Sequence, residues 1–207
     1  LNSYKDHSIG LLTDDGRFKR IGINEIIDMS GRAASILKLK SNVKVKTSVL
    51  CGLNENLIIV SNIGRILKFK INEVNLPLMG KLAQGTNIIK LFPEESIIGG
   101  ICAKNEEDII LITTNGAFKK MKVNELRTCR KGDLGLINIQ FKNKKEEIID
   151  IFKNNQTISI ITSKQRHLRI SKDDISKINY NKIDLKTLAL EKDELIDTVI
   201  PLIEDEG

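Results

Sequence analysis

The side chains whose types and spacing could do chemistry are cations. Arg20, Lys68, Lys120 and Arg169 recur at intervals of 48, 52 and 49 residues, so one position is basic in four copies of four. Two copies add a second cation two places on, Lys70 and Lys122. Residues two apart in a strand share a face, so these side chains would stand on one surface. Spaced positive charges suit a polyphosphate better than a small ligand, because each neutralised phosphate releases condensed counterions and adds sequence-independent affinity. Three loops extend the series: Ser30-Gly31-Arg32, Met79-Gly80-Lys81 and Arg127-Thr128-Cys129-Arg130-Lys131-Gly132. In each, Gly lets backbone N–H groups approach a phosphate and Arg or Lys adds charge. A ligand-free explanation stands beside this one. Cations on strands also guard edges against aggregation. An acidic residue follows five places after each ladder cation (Glu25, Glu73, Glu125, Asp174), and a salt bridge within each repeat would account for both series.

Other chemistries find little support. His7 and His167 lie far apart, and Gly-x-Ser-x-Gly, His-Glu-x-x-His and P-loop patterns are missing. Lys144-Lys145-Glu146-Glu147 and Asp14-Asp15 read as solvated turns. Tyr4 and Tyr180 are the two tyrosines, and neither sits in the setting of a nucleophile. Cys51, Cys102 and Cys129 are widely spaced with no Cys-x-x-Cys, which fits a reducing compartment. Cys51 and Cys102 hold equivalent places and read as core. The expectation is therefore no catalytic residue, no metal and no cofactor. Aromatics make up 4% of the chain and Trp is absent, so base stacking on a single strand is disfavoured against contact with a duplex backbone.

The elements that must carry the cations are repeats. The second copy reads Ile59-Val60-Ser61-Asn62-Ile63-Gly64-Arg65-Ile66-Leu67-Lys68-Phe69-Lys70-Ile71-Asn72-Glu73-Val74. The first spans residues 11–26, the third 111–126, and a worn fourth 160–175 has Gln165 where the others have Gly16, Gly64 and Gly116. Each starts with an apolar β-branched run, turns at the glycine, and continues as an alternating strand. In the second copy the alternation sets Arg65, Leu67, Phe69 and Ile71 on one face and Ile66, Lys68 and Lys70 on the other. The Asn-Glu pairs Asn24-Glu25, Asn72-Glu73 and Asn124-Glu125 read as turns after that strand. Residues 88–91 and 97–103 read as two further strands, and helix signals are nearly absent. Residues 176–194 read as a loop with a short helix, or as strands completing the fourth repeat. A period near 50 suits a four-stranded propeller blade. The expectation is one all-β domain over residues 1–207, with repeats at about 8–52, 53–103, 104–153 and 154–201. Net charge is +6 over 207 residues; the first three repeats are net positive and the fourth, with Glu204-Asp205-Glu206, net negative. No run of 18 apolar residues and no apolar leader is present, which argues against a membrane span or export. The start on Leu1 reads as a fragment of something longer.

The recurring pattern is an apolar strand, Thr or Ser, a turn with Gly, then a cation, alternating apolar residues and Asn-Glu. It resembles the C-terminal domain of the A subunit of bacterial type IIA topoisomerases, DNA gyrase and topoisomerase IV. The resemblance runs from about residue 8 to about 201 and is closest over 59–100, including Met79-Gly80-Lys81-Leu82-Ala83-Gln84-Gly85-Thr86-Asn87. It implies a β-pinwheel, a propeller-like disc whose blades exchange a strand, with double-stranded DNA bent around a basic rim. It further implies two partners, the ATPase B subunit of such an enzyme and the rest of its A subunit, in a cytoplasmic setting. The implied DNA contacts are Arg20, Lys68, Lys120 and Arg169, then Lys70 and Lys122, then Arg32, Lys81, Arg130 and Lys131. Two departures stand out. No Gln-Arg-Arg-Gly-Gly-Lys-Gly-like run, the gyrase box, occurs, which favours a topoisomerase IV-like protein or a gyrase piece without its box blade. Family members often have five or six blades, and four repeats are present. The strand-cleaving tyrosine of such enzymes lies in another domain, so this chain is expected to have no cleavage or ATPase activity. The competing reading is a propeller scaffold for protein–protein contact with no DNA affinity.

Overall fold

The computed structural model describes residues 7–27, 34–139, 141, 145–184 and 187–202. Repeat one supplies β1 (Ser8–Thr13), β2 (Arg17–Gly22), the short helix α1 (Ile23–Ile27) and β3 (Val45–Cys51). Repeat two supplies β4 (Asn56–Ser61), β5 (Arg65–Lys70), β6 (Thr86–Asn87) and β7 (Ile97–Ala103). Repeat three supplies β8 (Asp108–Thr113), β9 (Phe118–Lys122), a 3-10 turn at Val123–Glu125, β10 (Leu136–Ile137) and β11 (Ile148–Lys153). Repeat four supplies β12 (Thr157–Thr162), β13 (His167–Ile170), α2 (Lys172–Ser176), β14 (Ile183–Asp184) and β15 (Ile196–Leu202).

Every blade opens on an antiparallel hairpin, and its turn explains the recurring Thr or Ser. The hydroxyls of Thr13, Ser61, Thr113 and Thr162 accept the N–H four residues on, at 3.1, 3.3, 3.2 and 3.3 Å. The turn residue needs a positive φ. Gly16 adopts +87°, and a Cβ there would meet the Ile89 carbonyl oxygen at 2.3 Å. Gln165 holds φ 59° at the corresponding place in repeat four, a strained setting for a residue with a Cβ.

The sheets run β3-β1-β2-β6, β7-β4-β5-β10 and β11-β8-β9-β14, and a three-stranded sheet runs β15-β12-β13. In each four-stranded sheet the last strand comes from the following repeat. Thr86 pairs with Phe18, Leu136 with Ile66 and Asp184 with Phe118. The blades therefore exchange strands, as expected of a β-pinwheel. The exchanged strand of repeat two is Thr86–Asn87 and not residues 88–91; Ile88 and Ile89 are buried instead, with both N–H groups on the Gly16 carbonyl at 3.0 and 3.4 Å. Short helical turns, more regular than the sequence suggested, occupy the Asn-Glu positions of repeats one and three and the Asp173-Asp174 position of repeat four. In α2, Ser171 caps by accepting the Asp174 N–H at 3.2 Å.

Three apolar cores lie between successive sheets. One joins Leu12, Phe18 and Cys51 of blade one to Leu57, Ile59, Leu67, Phe69 and Cys102 of blade two, and the two others join blades two to three and three to four. An inner sheet is thus covered on both faces. All of β4 and every residue of β5 except Lys70 is buried.

A buried ion pair ties the loops to this stack. Arg65 meets Glu95 through two bonds of 2.8 and 2.6 Å, donates to the carbonyls of Leu134 and Lys90 at 2.7 Å each, and lies 4.5 Å from the Phe92 ring centre. Burial works against the charge on Glu95, but donors from Arg65, Ser61 and the Phe92 N–H outweigh it and hold the carboxyl below its usual range. Glu95→Ala would leave a buried guanidinium without its counter-ion, and urea unfolding should show a loss of about 3–5 kcal/mol.

The strands β3, β7, β11 and β15 pack in succession and line a cavity of about 500 Å³. Lys46, Asp150 and Asp197 are its charged lining residues. Burial pushes Asp150 up to about 6, against the opposing pull of the Ile151 N–H and Lys46. A carboxyl raised on folding holds a proton that the unfolded chain releases. Its contribution is therefore most favourable below pH 3.8 and is lost as pH rises through about 6. Asp150→Asn should stabilise the protein at pH 8 by about 1–3 kcal/mol and leave it unchanged near pH 3.5, as read by unfolding at the two pH values.

Candidate nucleic-acid interface

The strand exchange determines where the basic ladder goes. Arg20, Lys68 and Lys120 lie on β2, β5 and β9 and are only 6%, 4% and 4% exposed. Each grips the turn of the next repeat. Arg20 pairs with Glu73, and its carbonyl accepts the Met79 N–H at 2.8 Å. The Lys68 ammonium donates to the Val123 carbonyl at 3.0 Å, and its own carbonyl accepts the Cys129 N–H at 2.7 Å. The Lys120 ammonium donates to the Ser176 carbonyl at 3.0 Å, stands 3.9 Å from Asp108, and lies 4.5 Å from the Tyr180 ring centre. These three side chains therefore face a neighbouring repeat and not solvent. The acidic partner of Arg20 is the Glu of the next repeat, not the Glu25 of its own. Arg169, at the same position of repeat four, is exposed; among the described residues no later turn packs on it.

Two lysines that sequence reasoning passed over are also held by backbone carbonyls, within their own repeat as well as across repeats. Lys19 donates to the carbonyls of Ile36 and Lys81 at 2.6 and 2.7 Å, and Lys119 donates to that of Asn138. Burial lowers the pKa of Lys19, Lys68 and Lys119, opposed at Lys19 by Glu25 and at Lys68 by Cys129. Their signal was a second cation beside the ladder position in repeats one and three.

The remaining anticipated contacts reach solvent. Lys70, Lys122, Arg130 and Lys131 are exposed and Lys81 is half-buried; Arg32 lies outside the described residues. Lys81 and the pair Arg130 and Lys131 occupy equivalent turns, immediately before the exchanged strands β6 and β10. Those strands are the outermost of their sheets, so the two turns stand at the outer edge of successive blades. A Cβ at Gly80 or Gly132 would meet nothing within 4 Å, so both turns border open space. The backbone N–H of Arg130 donates to the Asp133 carboxylate at 2.9 Å, and the residue is exposed. Lys122 lies 5.1 Å from the Tyr180 ring centre.

The other candidate groups are structural. Cys51 and Cys102 are buried with their sulfurs 3.4 Å apart; the hydrogen bond between the two thiols and burial push Cys102 well up. The Tyr180 hydroxyl donates to Asp108 at 2.6 Å, which raises its pKa and anchors repeat four on repeat three.

Residues 11–50, 55–104 and 107–155 match the family model described as DNA gyrase C-terminal domain, beta-propeller. These segments follow the first three repeats. The A subunit of DNA gyrase from Ureaplasma parvum serovar 3 is 23% identical over 201 residues, covering 96% of this chain and 24% of that protein. The A subunit of DNA topoisomerase 4 from Synechocystis is 26% identical over 155 residues, covering 70% of this chain and 17% of that protein. The chain thus spans under a quarter of the length of these relatives. A solved DNA gyrase A C-terminal domain superposes with a TM-score of 0.76 at 16% identity, over 96% of this chain and 67% of that one. That likeness bears on the fold.

The equivalence of Lys68 and Arg169 gives an internal control. Lys68→Ala strips the Val123 carbonyl of its ammonium donor and should lower unfolding free energy by about 1–3 kcal/mol. Arg169→Ala should change it by no more than about 0.5 kcal/mol. Thermal or urea unfolding of the two variants checks the contrast.

Proposed function

This chain belongs to the DNA gyrase C-terminal domain, beta-propeller, family, and from that premise we propose that it binds duplex DNA without sequence preference and bends it around the outer edges of its blades. The observation that carries the reading is the repeated outer turn: Lys81 in one blade, Arg130 and Lys131 in the next, each at the point where a strand is handed to the preceding blade. Lys70, Lys122 and Arg169 add exposed charge. Arg20, Lys68 and Lys120 serve the track indirectly. By fixing each blade on the next they set the spacing at which the exposed cations meet successive phosphates. Phosphate contacts of this kind position a duplex and carry no sequence information.

The energetics are compatible with bending. Curving a short duplex by tens of degrees costs about 1–6 kcal/mol. Some 6–10 phosphate contacts give a binding constant that falls roughly 10³–10⁵-fold between 50 and 200 mM salt, so at low salt they offset that cost. In this reading the chain is the DNA-handling part of the A subunit of a bacterial type IIA topoisomerase. It works in the cytoplasm with an ATPase B subunit and the rest of its own polypeptide. The ATP-dependent cleavage chemistry lies elsewhere in the enzyme, and this domain has none of its own. This sequence has no gyrase-box run, which fits a topoisomerase IV-like role, in which the domain selects the geometry of DNA to be acted on, or a gyrase piece without its box blade.

Fluorescence anisotropy with a random-sequence duplex of about 40 base pairs, taken through a salt series, tests the proposal. The expected result is sequence-independent binding with a steep negative slope of log K on log salt. Replacing Lys81, Arg130 and Lys131 together by Ala should make that slope shallower by about 2–3 while the far-ultraviolet circular dichroism is unchanged. No binding at low salt would contradict the proposal and leave the protein–protein scaffold.

A further inference from the structure

The cleft between blades two and three has a composition that its two counterparts lack. It measures about 440 Å³, and its lining includes Lys68, Lys70, Lys104, Asn56, Asn124 and Thr128, with Glu106 as its one carboxylate. Three ammonium groups thus face one acid. Lys70 and Lys104 are exposed, and among the described residues neither ammonium holds a protein acceptor.

The repeats explain why this charge is left over. Lys104 corresponds to Lys153 and Gly52, since the backbone N–H of each is bound by the side chain three residues later, at 2.6, 3.0 and 2.8 Å. The three-lysine set therefore occurs twice, as Lys68, Lys70 and Lys104 and as Lys120, Lys122 and Lys153. Between blades three and four it is satisfied from within. Lys153 is bound by Glu107 at 3.0 Å, Lys120 has Asp108 and the Ser176 carbonyl, and the Tyr180 ring lies against Lys120 and Lys122. Between blades two and three the position of Asp108 is taken by Asn56, which pairs with Lys70 as Asp108 pairs with Lys122. The position of Tyr180 is taken by Thr128, each bridging to its ladder lysine. A carboxylate has become an amide and a ring has become a small hydroxyl side chain, so both the neutralising charge and the plug are gone. Between blades one and two, Gly22 and Gly52 replace two of the lysines and Arg20 is paired with Glu73.

Resting on the proposed DNA binding, we infer that this cleft is a phosphate seat that takes one phosphodiester of the bound duplex between blades two and three. Lys70 and Lys104 supply the charge, Asn124 and Thr128 add neutral donors, and Lys68 stays with Val123 and shapes the floor. The seat would fix the duplex at one place on an otherwise uniform track.

The test compares three variants of this chain in duplex binding through a salt series, with inorganic phosphate as a second probe. Lys70→Gln with Lys104→Gln should weaken binding about 3–10-fold at low salt and make the slope shallower by about 1. Glu106→Gln should tighten binding. Lys192→Gln, exposed in repeat four and outside the outer turns, should match the unaltered protein. An affinity and slope unchanged in the Lys70 and Lys104 variant, with the unaltered protein still binding, would overturn the seat alone. Failure of the unaltered protein to bind duplex would overturn the underlying reading and the seat with it. Nuclear magnetic resonance shifts at Asn105 and Asn124 on adding inorganic phosphate at fixed ionic strength, together with unchanged duplex binding by the variants, would assign the cleft to free phosphate and overturn the duplex assignment.

Discussion

The structure depends on one hand-over. A hairpin such as β1–β2 leaves the edge of β2 with unpaired N–H and C=O groups, and the following repeat covers that edge with β6. Exposed edges invite pairing with other chains, so this cover is what closes a blade. It also buries the ladder cation beside it. A buried ammonium or guanidinium is tolerable only when it is paired or hydrogen-bonded, and the next repeat supplies the Glu73 carboxylate or the carbonyls of Val123 and Ser176. Neighbouring blades are thereby held by strand pairing, an apolar core and a cationic grip acting at one boundary.

Much of this was legible in the sequence, and the parts that were not share a physical cause. The copies, their period and the hairpin turn were visible because they rest on local rules: β-branched runs, a positive φ at Gly16, a hydroxyl at Thr13. The equivalence of Cys51 and Cys102 was visible for the same reason, and the two thiols do meet in the core. The orientation of Arg20, Lys68 and Lys120 was misjudged because strand alternation presumes one solvated face. Here sheets are stacked on both sides, so alternation tells which neighbour a side chain meets, not whether it meets water. The acidic series was read within the repeat, whereas Arg20 reaches Glu73, 53 residues away. The Arg65–Glu95 pair, 30 residues apart, leaves no local pattern at all.

The same geometry sorts the cations by work. Arg20, Lys68 and Lys120, buried on the third strand of a blade, hold the fold, and the cations in turns before an exchanged strand reach solvent. Small changes at corresponding positions then alter each boundary separately. Tyr180 and Asp108 seal the boundary of blades three and four, while Thr128 and Asn56 leave the preceding one open and cationic. A repeat architecture permits this because each boundary is made by its own pair of repeats.

Blades locked in this way should present a curved track that bends a duplex. Energy transfer between dyes at the two ends of a duplex of about 40 base pairs, measured with saturating protein at low salt, tests this most directly, since bending such a site brings its ends together. Transfer should rise on binding and fall back as salt releases the protein. Saturable binding with no change in transfer would contradict the curved track, because the duplex would then lie straight across the blades.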